Sequence, residues 1–196
     1  MNNQRPSDEE LLRGVVAGDE ESFTVLYRRR QAGIYRFALR MSGSEAAAED
    51  VTQEVFLTLA REASRYDPAR GPVTAYLFGI ARKQVLRWVA RTRLERAVDP
   101  LPEQAEPGAG PLERLAREES IEWVRAAVLS LPPHYREVVA LCDLDGMSYE
   151  EAAATLECAV GTVRSRLHRA RGLLAEKLRR SGVAEPAGVN RAGCLT

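Results

Sequence analysis

The feature that most constrains this chain is an interruption, AVDPLPEQAEPGAGP, at residues 97–111. Its four prolines lack backbone donors, and its two glycines and three acids bring no apolar surface to bury. Such a stretch builds neither helix nor core and reads as an extended linker. The 196 residues then divide into two small units, each near the lower size at which one hydrophobic core sustains a fold. The expected fold is all-α: an N-terminal helical bundle over 1–96, a flexible linker over 97–111 and a C-terminal helix-turn-helix domain over 112–180. A tail over 181–196 is expected to be disordered.

The first half carries helix signals in close succession. Ser7 with Glu10 has the spacing of a capping box ahead of Leu11 and Leu12. Asp19 is placed to cap a second helix, whose Phe23, Leu26, Tyr27, Ile34, Phe37 and Met41 recur at helical spacings. Gly43 and Ser44 end it and start a third, running to Ala63. There, Asp50, Gln53 and Glu54 share one face, with Val51, Val55 and Leu59 turned toward the core. A loop with Asp67-Pro68 and Gly71-Pro72 follows, and Pro72 suits the first turn of a fourth helix. In that helix one stripe runs Val73, Tyr76 and Ile80, then continues as Lys83 and Arg87, with Arg91 one turn on. A neighbouring stripe of Leu77, Ala81, Val85 and Trp88 stays apolar. From the residues alone, the cationic row is equally readable as a contact or as solvated surface, and the acidic face reads first as solvated surface.

The second half begins with a helix holding Ile121, Val124, Val128 and Leu131, and Pro132-Pro133 breaks it. The next helix turns Tyr135, Val138, Val139 and Cys142 inward and closes at Gly146. Ser148 with Glu151 is a second capping box, opening a short helix through Leu156. A three-residue turn, Glu157-Cys158-Ala159, leads into a longer helix that buries Val163, Leu167, Ala170 and Leu174. Short helix, tight turn and basic helix make a helix-turn-helix. The 100° step places Arg164, Ser165, His168 and Gly172 opposite that buried stripe, flanked by Thr162, Arg166 and Arg169. Arginines reach guanine edges or phosphates, and the small Ser165 lets the backbone approach a groove.

Net charge is zero, which by itself argues against a polyanion partner, but the charges are not mixed evenly. Residues 82–96 carry six basic residues against one acid, and residues 164–180 carry seven against one. Acids gather at 8–10, 19–21 and 99–106. Two basic stretches, one late in each half, imply two separate contacts with a polyanion. Cys142, Cys158 and Cys194 are odd in number and scattered, which argues against disulfides and against zinc. His134 and His168 sit in no ligand or catalytic spacing, so neither metal nor cofactor nor enzymatic chemistry is expected. The acidic start has no apolar segment of a secretory signal, and no run reaches about 18 apolar residues, so a cytoplasmic protein without membrane insertion is expected.

The stretch LPPHYREVVALCDLDGMSYEEAAATLECAVGTVRSRLHRARGLLAEKL, Leu131 to Leu178, resembles the promoter −35 binding domain of extracytoplasmic-function (ECF) sigma factors. Earlier, AEDVTQEVFLTLARE (Ala48 to Glu62) is similar to that family's helix docking on the polymerase β′ clamp. AYLFGIARKQVLRWVAR (Ala75 to Arg91) is similar to its helix that melts and reads the −10 element. The resemblance covers most of the chain outside the linker and the two ends. It implies polymerase contacts at Asp50, Gln53 and Glu54, and it makes Ala75 to Arg91 the −10 helix, on which the cationic row Lys83, Arg87 and Arg91, with Tyr66 of the preceding loop, is expected to hold the −10 DNA. It places Thr162, Arg164, Ser165, Arg166, His168 and Arg169 at the −35 element. Implied partners are core RNA polymerase (β′ clamp and β flap), promoter DNA and an anti-sigma factor.

This chain departs from the family pattern in two places. Lys83 and Arg87 stand where an asparagine and an aspartate are common, so contacts made by those residues do not carry over. Glu157-Cys158-Ala159 replaces the usual glycine, aliphatic and serine; Glu157 is then expected in a left-handed conformation at about 1–2 kcal/mol. Ala159 then lacks a side-chain cap worth about 1 kcal/mol. Two rival functions compete with the sigma-factor reading. A stand-alone helix-turn-helix repressor leaves the first hundred residues without a role, and a partner protein that sequesters regulators needs no two basic helices.

Overall fold

The computed structural model describes residues 5–98 and 122–180. Most of the expected linker, Ile121 and the whole 181–196 tail lie outside the described residues. Every regular element among the described residues is helical, as the periodicity implies.

In the first half, α1 (Asp8–Val16) opens with both hydrogen bonds of the Ser7–Glu10 box. Helix α2 (Glu20–Ser42) starts at Asp19, whose carboxylate accepts from the Glu21 and Ser22 amides. It stops at Gly43, which takes φ 72°, and Ser44 caps α3 (Glu45–Glu62). Two short 3₁₀ turns, Ala63–Arg65 and Pro68–Arg70, lead into α4 (Val73–Val98). Pro72 therefore sits one position ahead of α4, its carbonyl accepting from the Tyr76 amide. Helix α4 also runs two residues into the stretch read as linker. Leu26, Ile34, Phe37, Val55, Leu59, Leu77 and Val85 fill the core where these helices meet. Val73 is fully buried, so it belongs to the apolar stripe of Leu77, Ala81 and Val85 at successive one-turn steps, not to the stripe of Lys83.

The second half comprises α5 (122–129), α6 (Pro133–Val138), α7 (Tyr149–Leu156) and α8 (Val160–Arg180). Val128 and Leu131 are buried as expected, whereas Val124 is 44% exposed. Helix α6 widens over Val139–Leu144 into a π-helical turn that Gly146 ends at φ 70°. Asp145 donates its amide back to the Ala140 carbonyl at 2.9 Å, closing the wide turn. Val138, Leu141, Leu156, Val163 and Leu167 form the apolar centre.

The two halves pack directly on each other. Helix α4 lies along α7, and α2 meets α6 and the wide turn, so one apolar cluster runs through both halves. Gly71 permits this packing: a Cβ there would stand 2.9 Å from that of Ala154, and its φ of 133° excludes most other residues.

Candidate nucleic-acid and polymerase interfaces

Helix α8 presents the face that the 100° step implies. Val163, Leu167 and Ala170 are buried, while Arg164, Ser165, His168 and Arg169 are exposed and Thr162 and Arg166 are half-exposed. The Arg164 guanidinium lies over the Tyr149 ring, 5.7 Å from its centre, which steadies the side chain by about 0.5–1 kcal/mol. Arg171 behaves differently: it makes a two-pronged pair with Asp143 at 3.1 and 2.6 Å, which raises its pKa. It anchors α8 to the wide turn and is not a free reader. Glu157 takes φ 52° and ψ 46°, as its place in the turn demands. The Ala159 carbonyl accepts from Thr162 and Val163, and α8 starts without a side-chain cap from alanine.

On α3, Val51, Val55 and Leu59 face the core. Asp50 and Gln53 are exposed and Glu54 is half-exposed, and none of the three is paired with another described residue. Gln53 borders a groove floored by Phe23, Tyr27, Tyr35 and Phe56, with Tyr27 and Leu57 exposed along it. The face thus combines anionic and amide groups with an adjacent aromatic floor.

The loop from Tyr66 to Pro72 is braced internally. The Tyr66 hydroxyl donates to the Gly71 carbonyl at 3.0 Å, and its ring packs against Tyr76 at 5.5 Å. Burial, then Glu9 and Asp67, raise the Tyr66 phenol above its usual range. Lys83, Arg87 and Arg91 emerge exposed on α4. Tyr66, Tyr76, Ile80 and Lys83 line a crevice whose other wall is Ala154, Thr155 and Glu157 of the second half.

Sequence reasoning missed the ion pairs that join the halves. Arg82 pairs with Glu137 through two hydrogen bonds, 2.8 and 3.4 Å, and the Glu137 side chain is 3% exposed. Arg40 pairs with Asp145 at 2.6 Å and Arg36 approaches it at 3.9 Å. Asp145 is 4% exposed and its second oxygen has no partner among the described residues, so burial raises its pKa against the pull of Arg40 and Arg36. Glu157 accepts from Arg70 at 3.2 Å and lies 3.5 Å from Lys83. Arg136 crosses in the other direction, donating to the Met41 carbonyl at 2.7 Å, and burial lowers its pKa. No periodicity announces such pairs.

Among the described residues no cluster of His, Cys, Asp or Glu could hold a metal, and no helix is long and apolar enough to cross a membrane. The sigma-70 region 2 family model matches residues 26–95, and the sigma-70 region 4 model matches residues 121–174. The chain is 38% identical over 190 residues to the ECF RNA polymerase sigma factor SigE of Mycolicibacterium smegmatis, covering 88% of this chain and 70% of the relative. It is 32% identical over 188 residues to the ECF RNA polymerase sigma-E factor of Escherichia coli, covering 90% and 96%. Its fold is similar to that of the sigma factor RpoE from Bartonella quintana, solved with the anti-sigma factor NepR, with TM-score 0.66, 26% identity and coverage of 81% and 98%. A lone DNA-binding repressor accounts for the second of these matched regions and not the first. With α3 and α4 in one region, the helix-turn-helix in the other and relatives aligned across both, the chain belongs to the ECF RNA polymerase sigma factors, initiation factors that direct core polymerase to promoters and are not catalysts.

Proposed function

We propose that this sigma factor divides its work among three faces. Asp50, Gln53 and Glu54 on α3 dock the chain on arginines of the polymerase β′ clamp. Lys83, Arg87 and Arg91 on α4, with the Tyr66–Pro72 loop, hold the −10 non-template strand, cations along its backbone and the tyrosine-walled crevice beside an unstacked base. Thr162, Arg164, Ser165, Arg166, His168 and Arg169 on α8 enter the −35 major groove, with the C-terminal half seated near the β flap. The working units are 1–96 and 112–180, with 97–111 as the acidic connection. The chain acts in the cytoplasm, where core polymerase is, and an anti-sigma factor restrains it, as NepR accompanies RpoE.

The exposed row on α8, opposite a fully buried stripe and behind a tight turn, is the observation that carries this reading. Sequencing the transcripts made by core polymerase with this protein added tests it: promoters sharing −35 and −10 motifs are the expected result. Reversing both Asp50 and Glu54 to lysine should remove the chain from polymerase in co-purification. Unchanged co-purification would show that docking uses another face.

A further inference from the structure

One aromatic side chain of α7 touches two arginines of α8. Tyr149 is the first residue of α7, where the Ser148–Glu151 capping box fixes the backbone. Its side chain is half-buried and packs against the apolar cluster. Arg164 and Arg171 stand seven positions apart, two turns along one face of α8. The Arg164 guanidinium lies over the Tyr149 ring, 5.7 Å from its centre. The hydroxyl end of the same side chain faces Arg171 and, after Asp143, helps to raise that group's pKa.

The two arginines have different tasks. Arg171 is committed to Asp143 through bonds of 3.1 and 2.6 Å, which tie α8 to the wide turn. Arg164 donates to no described residue, so its five N–H groups stay available. A cation over a ring is held through the ring's face, whereas a guanine is read through the N–H edge of the guanidinium. One guanidinium can therefore be held and read at the same time. Arg166 and Arg169, the other arginines of the row, have no ring beneath them among the described residues. The difference bears on what each can recognise. A long side chain loses rotamer freedom when it binds, and a ring that already orders it removes part of that loss. A phosphate accepts a cation from many directions, but two parallel bonds to one base require a fixed plane.

We infer that Tyr149 is a positioning residue for −35 recognition: its ring holds Arg164 ready to read one base, and its hydroxyl end registers that ring against the Arg171–Asp143 anchor. The inference rests on the reading of α8 as the −35 face. It makes selectivity at one promoter position depend on a side chain outside the reading helix. It also separates Arg164, supported for a base, from Arg166 and Arg169, which suit phosphates.

The test uses core polymerase with the full chain, transcribing from a library randomised over the −35 element. Arg164→Ala identifies the position that Arg164 reads. Tyr149→Leu should relax preference at that same position by about 2- to 5-fold, the ratio that a cation–π contact at an exposed site supplies, and leave the other positions unchanged. Tyr149→Phe, which retains a ring, should keep the preference. Pentafluorophenylalanine installed at position 149 has nearly the size of that ring but reverses its charge pattern, and should relax the position as leucine does. Tyr149→Leu combined with Arg164→Ala should be no worse than Arg164→Ala alone, because the ring acts through the arginine. A preference kept with the fluorinated ring overturns the support. So does equal weakening at every −35 position, which is what loss of a merely packed ring would give. Arg164→Ala that relaxes no position overturns the reading of α8 itself, and the inference with it. Should leucine unfold the domain, the fluorinated ring still decides, because it fills the same space.

Discussion

Glu157 allows the backbone and the side chain of one residue to be weighed separately. Its φ of 52° and ψ of 46° lie in the left-handed region, at about 1–2 kcal/mol for a residue with a Cβ. Its carboxylate meets Arg70 at 3.2 Å and Lys83 at 3.5 Å, with side chains 52%, 72% and 60% exposed. Screened pairs of that kind are each worth under about 1 kcal/mol. Glu157→Ala and Glu157→Gly both remove the carboxylate, so the ion-pair loss is common to them. Their difference is the backbone alone. Inside a helix alanine is favoured over glycine by about 1 kcal/mol. At this turn the sign should reverse, because glycine relieves the strain, offset in part by the roughly 0.5–1 kcal/mol it costs to order. The glycine variant should therefore unfold at a temperature about 2–4 °C above the alanine variant, the shift that about 1 kcal/mol gives in a chain of this size. Thermal unfolding followed by circular dichroism, at low and high salt, measures it. The gap between the two variants should persist in high salt, while the gap between parent and alanine variant should shrink as screening removes the ion pairs. An alanine variant as stable as the glycine one would refute the reasoning: the turn would then relax at no cost.

Arg164→Ala should cost about 1–3 kcal/mol of −35 affinity and relax preference at one position, whereas Arg169→Ala, which removes a cation from a phosphate, should weaken all sequences alike and reduce the salt slope by about 1. Transcription from a randomised −35 library separates the two, and unchanged activity of both removes α8 from the reading surface. Lys83→Asn with Arg87→Asp should shorten the open-complex lifetime and make inhibition by salt shallower, because two phosphate-bound cations are lost, without changing the preferred −10 motif; a changed motif with unchanged lifetime would show that these residues read bases. Burial first, then Asp143, push the Cys142 thiol up to about 11 from 9.0, against the pull of Arg171. In a variant with Cys158 and Cys194 replaced by serine, Cys142 at pH 8 should be alkylated about 100-fold more slowly than an unperturbed thiol, since the thiolate is the nucleophile. Because the folded value is the raised one, this thiol's contribution to stability is present below pH 9 and lost as pH rises through about 11.

The helix ends were legible because caps are local. Ser7 with Glu10, Asp19, Gly43 with Ser44, and Ser148 with Glu151 each act within three residues of themselves, and each is found in that role. The α8 face was legible because a buried stripe fixes its own opposite side. Val73 was assigned to the wrong stripe of α4 because spacings of three and four both satisfy a helical period, and only the neighbouring helices decide between them. The widening of α6 into a π-turn leaves no mark in the apolar pattern, yet it is what carries Asp145 to Arg40. The interface between the halves was illegible for a different reason. Its pairs join residues such as Arg82 and Glu137 across 55 positions, and a buried carboxylate looks in sequence like any solvated one.

The distribution of charge also sets the proposed faces apart from one another. A chain with 28 basic and 28 acidic residues has no net pull on DNA, but its second half is bipolar. Residues 112–159 carry an excess of six acids, three of them paired with the first half, and residues 160–180 carry an excess of six basic residues. The reading face of α8 is exposed while the halves are together, whereas Lys83 is engaged with Glu157. The acidic face of α3 is open too, with Asp50, Gln53 and Glu54 unpaired among the described residues. The two excesses cancel in the net charge while leaving the α3 face anionic and the α8 row cationic, so on the proposed reading each face attracts its own partner.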